Sequence, residues 1–197
     1  MKKIILVLSL FVLSSCVETV VVGVITTGVL VAREEKVSDT VADISNKDKI
    51  KDYIKSYEEK NHIKNKFDDV DITVIENRVL LTGTVESEKY KEKIYKVVWE
   101  SEVKAKEVIN EVKIANKEKK RNKVKDIAIT AQIKTKFKAK RDIKSFNYDV
   151  ITVDETVYLL GIAQDTKEMR LTANVASRVK GVNNVVSHVV LKSDKRR

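Results

Sequence analysis

The 197-residue sequence has no proline, a single cysteine, two histidines, five glycines and one tryptophan. Without proline it offers no PxxP ligand, no proline kink and no stiff extended linker. One cysteine excludes an internal disulfide framework. His62 and His188 stand alone in their segments, so no Cys/His cluster reaches metal-ligand spacing. There is no phosphate-cradling glycine loop and no G-x-S-x-G nucleophile elbow. The paired acids Asp68-Asp69 and Glu34-Glu35 fall in turn-like or linker sequence, where solvated charge is the expected role rather than general acid–base work. The sequence therefore points to no enzyme, no metal and no cofactor. What it does contain is 43% hydrophobic and 35% charged residues, enough apolar content for a core, and a formal net charge of +10. The length suits one ordinary domain or two small ones.

The first sixteen residues have the form of an export signal. Lys2 and Lys3 precede an apolar run, Ile4 to Leu13, which ends in Leu13-Ser14-Ser15-Cys16. That ending resembles the lipobox of bacterial lipoproteins: small residues at 14 and 15 suit the signal peptidase, and Cys16 supplies the thiol for a diacylglycerol. Buried acyl carbons contribute about 0.8 kcal/mol per CH₂, so two or three chains anchor almost permanently. The resemblance implies a signal peptide over 1–15 and a lipidated N-terminus at Cys16. With Val17 following, where Asp would direct inner-membrane retention, it also implies an outer-membrane lipoprotein facing the periplasm. Residues 17–32, VETVVVGVITTGVLVA, are apolar and rich in β-branched side chains, but shorter than the ~20 residues of a spanning helix. Two readings stay open: a membrane-proximal tether, or part of one longer span with residues 4–13 if Cys16 is not processed. Residues 33–45 read as a polar linker.

From residue 46 the chain repeats itself. The segment Ile72 to Gly83 parallels Val150 to Gly161, with Val79, Leu81 and Gly83 opposite Val157, Leu159 and Gly161. Each copy gives two β-branched runs around a polar turn, the pattern of a hairpin. Gly83 and Gly161 mark a bend or a close backbone approach. Charged helical stretches follow near Ser87–Glu102 and Thr166–Lys180; Met169, Ala173, Ala176 and Val179 form an apolar stripe in the second. Gly181 has the position of a left-handed C-cap. Last strands close the copies at Val108–Ile114 and Val185–Leu191, and leading helices open them near Lys47–Glu59 and Lys123–Lys138. The expected fold is α+β: two tandem αββαβ units, each a small mixed three-stranded sheet on two helices. Their bounds are 46–116 and 123–192, with a basic linker at 117–122 and a basic tail at 193–197. Trp99 is expected in core or interdomain packing, or otherwise in a partner contact.

The V-x-L-x-G pattern, the helix ending in Val179-Lys180-Gly181-Val182 and the short strand after it resemble the BON domain of bacterial envelope proteins. Two such units behind a lipobox resemble the dual-BON-domain lipoproteins of the DolP-like, OsmY-related kind. The first copy departs from the pattern, with Lys104 where the helix-ending glycine is expected and one extra residue nearby. The resemblance implies lipid binding and support of envelope integrity rather than catalysis.

The charge is not spread evenly. Residues 1–45 have a net charge of −1 and residues 46–116 are neutral, whereas residues 117–197 hold 20 basic and 9 acidic groups. Within that part, residues 117–144 hold 12 basic and 3 acidic groups, so the excess sits on the linker and the second leading helix. On a helical wheel Ile129, Ile133 and Phe137 form the core stripe. Val124, Ile127, Ala128, Ala131, Thr135 and Lys138 fall on the other side, flanked by Lys123 and Lys134. A second, mildly apolar stripe bordered by lysines suits an anionic phospholipid surface, where each cation contributes about 1 kcal/mol within a Debye length. In the DolP-like relatives this helix of the second domain is the phospholipid-contacting element, so the resemblance implies the same residues. A periplasmic protein-binding or chaperone-like module, with an envelope protein docking on the first domain, is the alternative. Nucleic acid is disfavoured by the export signal, the few aromatics and the lack of a reading motif.

Overall fold

The computed structural model describes residues 37–116 and 121–195. The signal segment, Cys16 and the apolar stretch 17–32 lie outside the described residues. The elements are α1 (Val37–Lys60), β1 (Val70–Ile75), β2 (Arg78–Val85), α2 (Glu88–Glu100), β3 (Glu107–Asn110), β4 (Lys113–Ile114), α3 (Lys123–Ala139), β5 (Tyr148–Val153), β6 (Thr156–Ala163), α4 (Thr166–Ser177) and β7 (Asn184–Leu191). The two repeats thus form two αββαβ units, the last strand of the first being split in two.

In each unit a two-residue turn folds the first two strands into an antiparallel hairpin, and the last strand lies parallel to the central one. Arg78 pairs with Glu107 in the first unit and Thr156 with Asn184 in the second, so the first has one more residue between its parallel strands. The ladder of that strand lapses after Leu81↔Asn110 and resumes at Thr84↔Lys113, and the Val112 N–H donates instead to Asn110 Oδ1 at 3.2 Å.

The central strands explain how the two units meet. Every residue of β2 and of β6 is buried. Side chains alternate across a strand, so Val79, Leu81 and Val85 enter the core under α1 and α2 with Ile50, Ile54 and Ile94. Val157, Leu159 and Ala163 likewise enter the core under α3 and α4 with Ile129, Ile133 and Phe137. Full burial of a side chain like Phe137 contributes about 1.5–3 kcal/mol. The intervening residues Leu80, Tyr158, Leu160 and Ile162 point the other way and form a third core with Ile75, Val153 and Val190. The two sheets therefore stack face to face, with helices on both outer sides. Polar bonds complete this interface. Arg78 Nη1 donates to the His188 carbonyl at 3.0 Å, His188 Nε2 meets Glu111 Oε1 at 2.9 Å, and Lys113 Nζ donates to Thr156 Oγ1 at 2.8 Å. Burial, with Glu111 and Asp154 nearby, pushes the Tyr158 phenol up to about 12, so it stays neutral inside the interface.

Two expectations are corrected. Residues 37–45 are not linker but the first turns of α1. From residue 40 to 45 the buried side chains are the polar Thr40 and Asp43, while the apolar Val41 and Ile44 are exposed, so apolar spacing does not mark the packed face. Trp99 is not core: it is 44% exposed and packs edge-to-face on Tyr95, with ring centroids 6.3 Å apart. Ile94, Val97 and Val98 set the buried face of α2, and Trp99 lies beyond it, one turn after Tyr95. In α4 the inward side also carries Glu168, Thr172 and Val175, beside Ala176.

Candidate membrane-facing helix and interdomain cleft

Helix α3 begins where the Asn122 side chain accepts the Lys125 N–H at 3.0 Å, a standard N-cap. Asp126, in its first turn, is 3% exposed and points inward. Its Oδ2 accepts from the Asp154 N–H and its Oδ1 from the Glu155 N–H, each at 3.0 Å, and Arg121 Nε lies 2.9 Å from Oδ2. Asp154 and Glu155 are the two turn residues of the β5–β6 hairpin, with φ of 47° and 63°. The first unit repeats this device: Asp43 of α1 accepts from Glu76 N–H at 2.6 Å and Asn77 N–H at 2.9 Å, and those turn residues also have positive φ. In each unit a buried aspartate on the leading helix thereby pins the hairpin, and with it the helix's rotation about its own axis. Ile129, Ile133 and Phe137 then fill the core.

That rotation leaves Lys123, Val124, Ile127, Ala128, Ala131, Lys134, Thr135 and Lys138 all exposed. Val124 and Ile127 are 78% and 68% exposed, the largest values among the exposed large apolar side chains of the described residues. The Thr135 hydroxyl donates to the Ala131 carbonyl at 2.9 Å, so it adds little polarity to the stripe. Lys123 is tied to Asp69 of the first unit by an ion pair, and Lys125 to Glu155 by another at 2.6 Å. Lys134 and Lys138 have no ion-pair partner among the described residues.

Helix α3 also forms one wall of a cleft of about 660 Å³ between the units. Ile127, Thr130, Ala131 and Lys134 line it from α3, and Asp149 to Thr152 from β5. Opposite stand Lys47 of α1 and Asp68, Asp69 and Asp71, in and before β1. The sequence reading did not anticipate this cleft, because it depends on how the two sheets stack.

The three glycines sit at tight places. A Cβ on Gly83, whose φ is +106°, would lie 1.9 Å from the Asp69 carbonyl oxygen, and one on Gly161 would lie 2.5 Å from that of Asn147. Gly181 has φ +94°, but α4 ends at Ser177 with Arg178 as its cap, so this glycine turns the chain beyond the helix rather than capping it, and a Cβ there would lie 3.3 Å from the Ile129 and Lys125 side chains. Among the described residues no group of three or more His, Cys, Asp or Glu could hold a metal ion, and no helix is long and apolar enough to cross a membrane.

Residues 46–116 and 125–193 each match the BON domain, so the chain belongs to the BON domain family and carries two copies. BON domains bind phospholipid or membranes, and proteins built from them are generally not enzymes. A protein of Anaplasma centrale described only as uncharacterized, in the gshII 5' region, is 46% identical over 133 residues, 66% of this chain and 87% of that protein. Two solved structures of CdsD, a structural protein of the type III secretion system of Chlamydia trachomatis, are distant. The C-terminal domain is 15% identical with a TM-score of 0.26, covering 68% of this chain and 64% of that one. The other is 14% identical with a TM-score of 0.25, covering 71% and 92%.

Proposed function

We propose that the protein is an outer-membrane lipoprotein, anchored at Cys16 and facing the periplasm, that binds anionic phospholipid through α3 of its second BON domain and supports envelope integrity. One observation carries this reading. The most exposed large apolar side chains of the described residues, Val124 and Ile127, share a helix face with Lys134 and Lys138, which have no ion-pair partner there. Lysine stems can lie along acyl chains while their ammonium groups meet phosphates. The exposed Tyr95–Trp99 pair of the first domain is the surface offered to an envelope protein partner.

Among the described residues the buried side chains of all three cores lie between Ile50 and Val190, so the segment 37–197 keeps every one of them. In sedimentation with phosphatidylglycerol vesicles, Lys134→Glu with Lys138→Glu in that segment should weaken binding about 30-fold, half the unscreened effect of four charge units. Trp99→Ala should leave vesicle binding unchanged. Unaltered binding by the double variant, or an equal loss with Trp99→Ala, would take the lipid contact away from α3. The anchor is tested separately by mass spectrometry of the N-terminus. The expected species begins at an acylated Cys16, and an uncleaved, unmodified terminus removes the lipoprotein assignment.

A further inference from the structure

The face proposed to rest on lipid does not end at the helix: Ile127, Ala131 and Lys134 turn from it into the cleft between the two domains. At about 660 Å³ the cleft is within the ~300–1,000 Å³ of ordinary ligand sites. Its charges are of both signs. Lys123 is paired with Asp69 and Arg121 with Asp126. Asp149 of β5 has an interaction of its own, and among the described residues this leaves Asp68 and Asp71 of the first domain, both exposed, and Lys134 and the half-buried Lys47, without ion-pair partners.

A simple anion entering the cleft meets the aspartates, and a simple cation meets the lysines. A ligand with a phosphate and an ammonium group a few bonds apart satisfies both. Quaternary ammonium groups cannot donate hydrogen bonds and are held by aromatic cages, yet among the described residues no aromatic side chain lines this cleft. A primary ammonium instead donates charge-assisted hydrogen bonds to carboxylates. We infer that the interdomain cleft is a headgroup site for phospholipids bearing a primary amine, of the phosphoethanolamine class. Lys134 and Lys47 take the phosphate, Asp68 and Asp71 take the ammonium, and Ile127 and Ala131 at the mouth meet the first acyl carbons. This rests on the reading of α3 as the lipid-contacting helix, and it gives the otherwise neutral first domain a direct part in choosing the lipid.

The test is calorimetric titration of the full chain with dihexanoyl lipids held below their micelle concentration. Dihexanoyl phosphatidylethanolamine should bind about fivefold more tightly than the phosphatidylcholine analogue, equivalent to about 1 kcal/mol. Asp68→Asn with Asp71→Asn should erase that preference while leaving binding to phosphatidylglycerol vesicles undiminished. Both aspartates are exposed, so the fold should tolerate the change. Equal affinity for the two lipids, or a preference that survives both substitutions, overturns the headgroup site. Loss of phosphatidylglycerol binding in the Lys134/Lys138 variant alongside equal affinities would leave the membrane-facing helix standing without the cleft.

Discussion

Replacing Asp126 with alanine should cost about 3 kcal/mol or more of folding stability, although it removes only a small polar side chain. The carboxylate holds two turn N–H groups and Arg121 at once. Its loss orphans two part-buried donors, each costing up to about 1–3 kcal/mol when unsatisfied. It also releases a turn that is costly in itself. A two-residue hairpin turn with positive φ at both positions is normally built from Asn-Gly or Gly-Gly. Here it is Asp154-Glu155, side chains that adopt the left-handed region at a cost of about 1–2 kcal/mol per residue. The buried carboxylate is what makes that conformation the favoured one. Asp126→Asn should lose less, since its amide oxygen can still accept one of the bonds, and exposed Asp142→Ala should change stability by no more than about 0.5 kcal/mol. Urea unfolding followed by circular dichroism measures all three. A loss below about 1 kcal/mol for Asp126→Ala would mean that the turn holds its shape without the aspartate.

Asp126 also shows which parts of this fold are legible in the chain. The hairpins can be read because β-branched runs flank polar residues and because the two copies repeat V-x-L-x-G. The residue that pins each hairpin lies about thirty positions upstream on a helix, and no local pattern marks it. For the same reason the start of α1 is illegible: from residue 40 to 45 the polar Thr40 and Asp43 are buried while Val41 and Ile44 are exposed, so that stretch reads as linker. The core stripe Ile129, Ile133, Phe137 is visible at helical spacing, and its complement gives the exposed face of α3 without any structure. The stacking of the sheets leaves a fainter trace. Leu80-Leu81 and Tyr158-Leu159-Leu160 are apolar on both faces of their strands, the mark of a strand covered on both sides. That pattern says a second layer exists but not that the layer is the other domain. The cleft follows only from that docking. Of its acidic wall, the pair Asp68-Asp69 reads in sequence as solvated turn charge.

Gly83→Ala should be the most damaging of the glycine substitutions, at about 3 kcal/mol or more, and should act through the same cleft wall. Two costs coincide. With φ at +106° the backbone is in a region that L side chains rarely adopt. A Cβ would also lie 1.9 Å from the carbonyl oxygen of Asp69, a backbone atom that no rotamer change can move aside. That carbonyl is already fixed, accepting the Thr84 N–H at 3.1 Å, while the Asp69 carboxylate holds Lys123 at the head of α3. An alanine therefore has to push the residue 69 segment away from β2, and the displaced segment carries the ion pair between the first domain and helix α3. Gly181→Ala is the informative comparison. It shares the positive φ, at +94°, but its new methyl would meet the flexible ends of Ile129 and Lys125 at 3.3 Å. Its cost should be close to that of the backbone alone, about 1–2 kcal/mol. The two variants, unfolded in urea side by side, separate conformational strain from steric exclusion. Equal losses would show that the Asp69 carbonyl yields to the methyl, and the close approach at Gly83 would then have no structural consequence.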